Sequence, residues 1–207
     1  MSDKVNRQRN LVIKNTLVLY VRMFITMGVS LYTSRLVLNA LGVVDFGIYN
    51  VVGGVVGMFG FLNVAMASST QRFLNYELGK GNISQLNKVF NASVTIHAII
   101  AIFILLLAET IGLWFLNNRL EIPDDKINAA NWVFQFAVLS SMISLVQVPL
   151  LATIIAYERM KVYAYISIVE AILKLLVALI LTWVLWEKLK TYAILMCSVV
   201  FIIFSVY

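Results

Sequence analysis

The stretch that decides the fold is IHAIIAIFILLLAETIGLWFL, residues 96–116, which holds one formal charge, at Glu109. About 20 consecutive apolar residues let a helix cross the hydrocarbon core of a bilayer. Comparable stretches recur along the chain, which is 61% hydrophobic and 13% charged, with a mean hydropathy of +0.91. A soluble domain of this length would need far more polar surface. The sequence therefore predicts a multi-pass membrane protein.

The fold class that we expect is all-α, a bundle of about six transmembrane helices. A basic cytoplasmic leader at residues 1–14 precedes the bundle, and polar loops at 35–46 and 71–88 separate the first three spans. The predicted spans are about 15–34, 47–69, 89–116, 129–157, 162–186 and 191–207. The last span ends without a flanking charge, so we expect the chain to be truncated at its C-terminus.

The Lys and Arg residues indicate the orientation of the chain. Nine lie on the side of the N-terminus and five on the other side, which predicts a cytoplasmic N-terminus. The net charge of +6 is spread over these membrane-flanking segments, so we expect contact with the phospholipid bilayer and no nucleic-acid partner.

The sequence holds no pattern typical of an enzyme or of a cofactor site. It has no glycine-rich phosphate loop followed by Lys and Ser or Thr, and no Ser-His-Asp or Cys-His set. No His or Cys cluster has the spacing of metal ligands. We expect no catalytic residues, no cofactor and no metal.

Ionisable residues inside the predicted spans are the candidate functional residues, because they are costly in lipid. Arg22 shares a helical stripe with Thr26 and Thr33, and it either snorkels to the interface or faces a water-lined cavity. Glu170 and Lys174 have the i, i+4 spacing of an ion pair, which is either structural or part of a transport pathway.

His97 and Glu109 lie in the third span, twelve residues apart, and form a candidate proton relay. The alternative is that His97 is simply a packed, hydrogen-bonded residue. Gly53, Gly57 and Gly60 follow i+4 and i+3 steps in the second span, a ridge that predicts close packing against another helix of the bundle. The alternative is that the ridge is a dimer face. Pro149 predicts a kink, and hence a hinge, in the fourth span.

Residues 33–82 carry a further pattern. Its elements are Ser34-Arg35, Leu41-Gly42, Phe46-Gly47-Ile48-Tyr49, Ser68-Ser69-Thr70-Gln71-Arg72-Phe73 and Gly79-Lys80-Gly81-Asn82. The order and spacing of these elements resemble the beginning of bacterial polysaccharide flippases of the O-antigen type. These flippases belong to the multidrug/oligosaccharidyl-lipid/polysaccharide exporter superfamily.

The resemblance implies a transporter with two lobes of six helices around a central cavity, of which this chain is the N-terminal lobe. It implies transport of undecaprenyl-pyrophosphate-linked oligosaccharide across the bacterial inner membrane for cell-surface polysaccharide and lipopolysaccharide synthesis. The implied partners are the lipid-linked oligosaccharide and the C-terminal lobe. Arg22 and Arg35 are candidates for binding the pyrophosphate, because Arg binds phosphate in a bidentate manner. Arg35 could instead tie its loop to Asp45.

Two alternatives stay open. A cation-coupled multidrug exporter of the same superfamily would be expected to carry an acidic residue midway along the first span, where this chain has Arg22. A membrane scaffold without transport activity would not need the buried charges or the polar stripe.

Overall fold

The structure, a computed structural model, describes residues 2–58 and 60–207, and it describes side chains from residue 13 onward except at 59, 61, 62 and 64. From Ser2 onward, the predicted basic leader is part of the first helix, but the side chains of Lys4, Arg7 and Arg9 are not among those described. The elements in chain order are α1 (Ser2–Gly57), α2 (Gly60–Lys80), α3 (Ile83–Leu107), a π-helical turn (Ala108–Gly112), α4 (Leu113–Arg119), α5 (Ile127–Ala156), α6 (Met160–Trp183) and α7 (Lys188–Val206).

Five helical stretches in the described part of the chain are long and apolar enough to cross a membrane. The first, Ile13–Gly57, has 45 residues and would be about 68 Å long if straight, more than twice the thickness of a bilayer core. It contains a break at Gly42, whose φ of 79° and ψ of 169° are not helical. Glycine reaches this left-handed region without the steric cost of a Cβ. The all-helical transmembrane bundle is thus confirmed.

The contacts of α1 show that the chain reverses at Gly42. Before the break, α1 lies along α6, with Arg22 beside Ser167. After the break, it lies along α5 and α7, and the rings of Tyr49 and Tyr192 are 4.6 Å apart. The first half runs parallel to α6, because Leu17 lines a groove with Lys161 and Thr33 lines one with Lys174. The second half runs parallel to α7, because Ala40, at the reversal, is next to Lys188 and Tyr49 next to Tyr192. Since a short turn makes α6 and α7 antiparallel, the two halves of α1 run in opposite directions.

Helix α5 lies at the centre of the bundle and packs against α1, α2, α3, α6 and α7. Its residues Val133, Phe134 and Val138 are at most 1% exposed and belong to the largest hydrophobic cluster. By contrast, large apolar side chains such as Phe24 and Ile99 are more than 60% exposed. A continuous apolar exterior of this kind is unusual in water and suits a lipid environment.

The structure corrects two predicted loops. Residues 35–46 are helical on both sides of the turn at Gly42, and the loop predicted at 71–88 is reduced to Gly81 and Asn82 between α2 and α3. The reason is that polar residues outside the bilayer can continue a helix until a specific signal ends it. Here Gly81 has a φ of 70°, and the Asn82 side chain accepts a hydrogen bond from the Gln85 backbone at 3.1 Å.

Two lysines hold the reversal at Gly42 in place. Lys188 Nζ donates to the carbonyl of Ala40 at 3.1 Å, which satisfies a free carbonyl where the first half of α1 ends. Lys126 Nζ lies 2.9 Å from Oδ1 of Asp45 and donates to Oδ2 at 3.3 Å. The link between Arg35 and Asp45 considered from the sequence is therefore replaced by an ion pair with Lys126.

Replacing Lys126 with Met should lower the free energy of unfolding by about 0.5 kcal/mol, since ion pairs that are partly open to solvent contribute little. The hydrogen bond to Asp45 raises the pKa of Lys126 above its ordinary 10.5. Because the pKa of Lys126 is higher in the folded than in the unfolded protein, its ion pair contributes fully to stability at pH values below the ordinary pKa. This contribution is lost as the pH rises through the folded-state pKa. Unfolding by SDS at pH 7 to 9 should therefore show the lower stability of the Lys126→Met variant. At strongly alkaline pH, the variant and the unmodified protein should be equally stable. An additional loss on combining Asp45→Asn with the Met variant would contradict the pairing.

Candidate functional site: two grooves lined by polar side chains

A polar groove of about 430 Å³ runs between the first half of α1 and α6. We call it the α1–α6 groove, and the polar residues lining it are Arg22, Thr26, Ser30, Thr33, Ser167, Glu170 and Lys174. The threonine hydroxyls are bonded back to their own helix, from Thr26 to the carbonyl of Arg22 at 2.9 Å and from Thr33 to that of Val29 at 2.7 Å. This bonding satisfies the hydroxyls on the groove wall without disrupting the helix.

Arg22 lies at one end of the α1–α6 groove. Its Nη1 donates to Oγ of Ser167 at 3.4 Å, and its Cζ lies 4.5 Å above the ring centroid of Tyr163. Its Nε is buried and has no hydrogen-bond partner among the described residues. Two of its contacts are thus a weak hydrogen bond and a cation–π interaction, neither of which neutralises a positive charge. The guanidinium is held in place, and no carboxylate among the described residues neutralises its charge.

Glu170 and Lys174 form the ion pair that their spacing predicts, with Nζ 2.6 Å from Oε1. The two side chains are 38% and 39% exposed, so the pair faces the groove rather than the packed core. The formal charges of Arg22, Glu170 and Lys174 are +1, −1 and +1, which gives the groove a net charge of +1. The role of the pair, structural or functional, stays a prediction.

Lys174 also lines a second groove of about 320 Å³, between the second half of α1, α2, α5 and α7. We call it the serine groove, because Ser140, Ser141 and Ser144 of α5 line it, together with Asn63 of α2. Oδ1 of Asn63 is buried without a described hydrogen-bond partner. These residues are not among the candidates predicted from the sequence. The spacing of Ser140, Ser141 and Ser144 nevertheless marks one helix face in an apolar span.

Gly53, Gly57 and Gly60 line this serine groove instead of a tight helix contact. A methyl group at any of the three positions would meet no described atom within 4 Å. The predicted close approach of another helix is therefore absent among the described residues. The glycines leave the groove open, because a helix without side chains there exposes only its backbone.

The close packing predicted for those glycines occurs at Gly112, in the π-helical turn. A Cβ on Gly112 would lie 2.7 Å from Cζ of Phe134, well inside van der Waals contact. Phe134 is 0% exposed in the centre of α5. The sequence offered little signal for this contact, because Gly112 is a single glycine in an apolar run.

His97 and Glu109 have separate partners. His97 is fully buried, and its Nδ1 is 2.7 Å from the carbonyl of Ser93. Glu109 lies in the π-helical turn and accepts a hydrogen bond from Gln135 of α5 at 3.2 Å. Twelve residues of helix separate the two side chains by about 18 Å. The structure does not bring the two ends of the predicted relay together.

Arg35 and Pro149 also lie away from the α1–α6 groove. Arg35 is exposed, thirteen residues beyond Arg22 and hence about 20 Å further along α1. One pyrophosphate cannot contact both arginines at once in this conformation. Pro149 is buried in α5, which continues as a helix through it from Ile127 to Ala156.

Comparisons with known proteins agree with this architecture. The MatE family profile matches residues 19–180, which are 162 of the 207 residues and include the α1–α6 groove. No curated protein and no solved structure matches the chain. Members of the MatE family are transporters rather than enzymes. The chain belongs to the MatE family and is a multi-pass membrane transporter of the multidrug/oligosaccharidyl-lipid/polysaccharide exporter superfamily.

Proposed function

We propose that this transporter moves undecaprenyl-pyrophosphate-linked oligosaccharide across the bacterial inner membrane, for the synthesis of cell-surface polysaccharide and lipopolysaccharide. The proposed orientation has a cytoplasmic N-terminus, and the partners are the lipid-linked glycan, the phospholipid bilayer and a C-terminal lobe. The observation that carries the proposal is the positive end of the α1–α6 groove, where Arg22 lines the groove and forms no ion pair among the described residues.

The chemistry of the groove suits a pyrophosphate attached to sugars. Arg binds phosphate oxygens through two parallel N–H donors, and such charge-assisted hydrogen bonds are among the strongest in proteins. Beyond Arg22, the hydroxyls of Thr26, Ser30 and Thr33 line the groove for about 16 Å along α1. Hydroxyl-lined surfaces can bind sugars by hydrogen bonds. Arg35, further along the helix, is a second candidate that would act at another stage of transport.

Replacing Arg22 with Ala should weaken the binding of undecaprenyl pyrophosphate by about 10- to 100-fold. Hydrogen bonds to charged groups contribute roughly 1.5–3 kcal/mol, and each 1.4 kcal/mol is a factor of ten in affinity. The measurement is the dissociation constant of a labelled undecaprenyl pyrophosphate for the purified chain in phosphatidylcholine nanodiscs. Arg22→Lys should restore part of the affinity, because Lys keeps the charge but not the planar donor pair.

Arg119→Ala is the matched control, since Arg119 lies 5.4 Å above the ring of Trp114 outside both grooves. It should leave binding unchanged. Equal affinity for undecaprenol, which lacks the pyrophosphate, would refute the proposal. So would undiminished pyrophosphate binding by a folded Arg22→Ala variant.

The second candidate function is cation-coupled multidrug efflux, and Glu170 is the observation that favours it. Its carboxylate lines the same groove and could bind a cation if Lys174 moved away. Under this alternative, ethidium binding would be abolished by Glu170→Gln and retained by Arg22→Ala. The opposite pattern, with pyrophosphate binding lost in Arg22→Ala, supports the glycan substrate.

A further inference from the structure

A third groove, of about 310 Å³, lies on the other side of Arg22 between the same two helices. We call it the apolar groove. Its wall is formed by Leu17, Val18, Val21, Ala164, Tyr165 and Ile168. Arg22 and Lys161 are the charged residues that line it, and among the described residues no carboxylate does so. The apolar groove thus combines an apolar wall with two positive charges, which is complementary to an anionic lipid.

Arg22 connects this apolar groove with the polar α1–α6 groove, because it lines both. Its guanidinium lies between Tyr163 and Ser167 of α6. Lys161 precedes Tyr163 by two residues, about 3 Å along the helix. Ser167, the other partner of Arg22, follows Lys161 by six residues, about 9 Å along α6. Both cations line the apolar groove beside the part of α6 nearest its first residue. A ligand in this groove therefore meets both positive charges.

We infer that the apolar groove binds the polyprenyl chain of the transported lipid, with the pyrophosphate between Arg22 and Lys161 and the sugars in the α1–α6 groove. This inference rests on the proposed function and adds the site at which the substrate enters. The chain leaves the groove towards the bilayer between α1 and α6, while the sugars face the interior. The helix pair would thus separate the apolar and polar parts of the substrate on opposite sides of one arginine.

The position of the two grooves on either side of Arg22 favours this ligand over an ordinary phospholipid. A ligand that fills both grooves needs an apolar chain, a phosphate and a polar head large enough for a space of about 430 Å³. A lipid-linked oligosaccharide has all three. A phospholipid would leave the α1–α6 groove unused, so the apolar groove would be merely a lipid-binding surface.

The test uses Val21→Trp, which should fill the apolar groove. Val21 is 57% exposed, so a larger side chain there leaves the core intact. The matched control is Leu31→Trp, on the same helix, 65% exposed and lining neither groove. A second variant, Tyr165→Ala, removes part of the groove wall at a position that is 69% exposed.

The probe is undecaprenyl pyrophosphate with a diazirine in the isoprene unit next to the pyrophosphate, added to the purified chain in phosphatidylcholine vesicles. After illumination, mass spectrometry should locate the label on Val21, Tyr165 or Ile168. Val21→Trp should lower labelling of Ile168 at least tenfold, and Tyr165→Ala should lower labelling of Val21. Leu31→Trp should change neither.

Two outcomes would overturn the inference while leaving the proposed function intact. One is Arg22-dependent binding with the label on residues outside the apolar groove. The other is displacement of the label by a tenfold excess of phosphatidylglycerol, which would identify a general anionic-lipid surface. Failure of the proposed function looks different, since a diazirine-bearing undecaprenol would then label the chain as strongly as the pyrophosphate and independently of Arg22.

Discussion

Replacing Gly112 with Ala should lower the free energy of unfolding by roughly 1–3 kcal/mol, the usual cost of overpacking a core. The new methyl group would lie 2.7 Å from Phe134, whose ring is fully buried at the centre of the bundle and cannot move without disturbing α5. The backbone itself accepts Ala, since Gly112 has a helical φ of −65° and ψ of −48°. The measurement is reversible unfolding by SDS in mixed micelles.

Gly53, in the serine groove and in the interior of the second half of α1, provides the matched control. Gly53→Ala places the same methyl group in space that no described atom occupies, so the better helix propensity of Ala should stabilise the protein by about 0.5–1 kcal/mol. The steric cause at Gly112 is tested by Phe134→Leu, a smaller side chain that should make Gly112→Ala nearly neutral. Equal effects of Ala at Gly53 and Gly112 would contradict the packing described here.

Replacing Glu170 with Gln should destabilise the protein by about 1–3 kcal/mol, because Lys174 would then carry an unpaired charge inside a membrane-spanning helix. The loss should be smaller than the 3–5 kcal/mol typical of fully buried pairs, since both side chains are more than one-third exposed. Lys174→Met should have a similar effect for the same reason. SDS unfolding of both single variants is the direct measurement.

The double variant Glu170→Gln/Lys174→Met separates the two roles considered for this pair. It removes both charges, so its stability should return close to that of the unmodified protein. If transport then persists, the pair is structural; if transport is lost in a stable double variant, the pair acts in the transport pathway. Additive losses in the double variant would show that the two residues do not stabilise each other.

The sequence by itself determined the fold class, because the signal is one of composition. Helices that cross lipid must satisfy their backbone internally and be apolar for about 20 residues, and both requirements can be read locally. The Glu170–Lys174 pair was predicted for the same reason, since its geometry depends on one helix alone. The spacing of Arg22 and its threonines also placed them correctly on one groove wall.

Only the tertiary structure decided which glycine packs against a helix and which borders a groove. The same residue type meets Phe134 at Gly112 and open space at Gly53, because the difference lies in α5 and not in the sequence around either glycine. Likewise, Asp45 pairs with Lys126, 81 residues away, instead of the nearby Arg35. The partners of Arg22, on a helix 145 residues later in the chain, depend on how α1 and α6 pack together. Contacts between helices arise from packing over long sequence separations, and local patterns do not encode them.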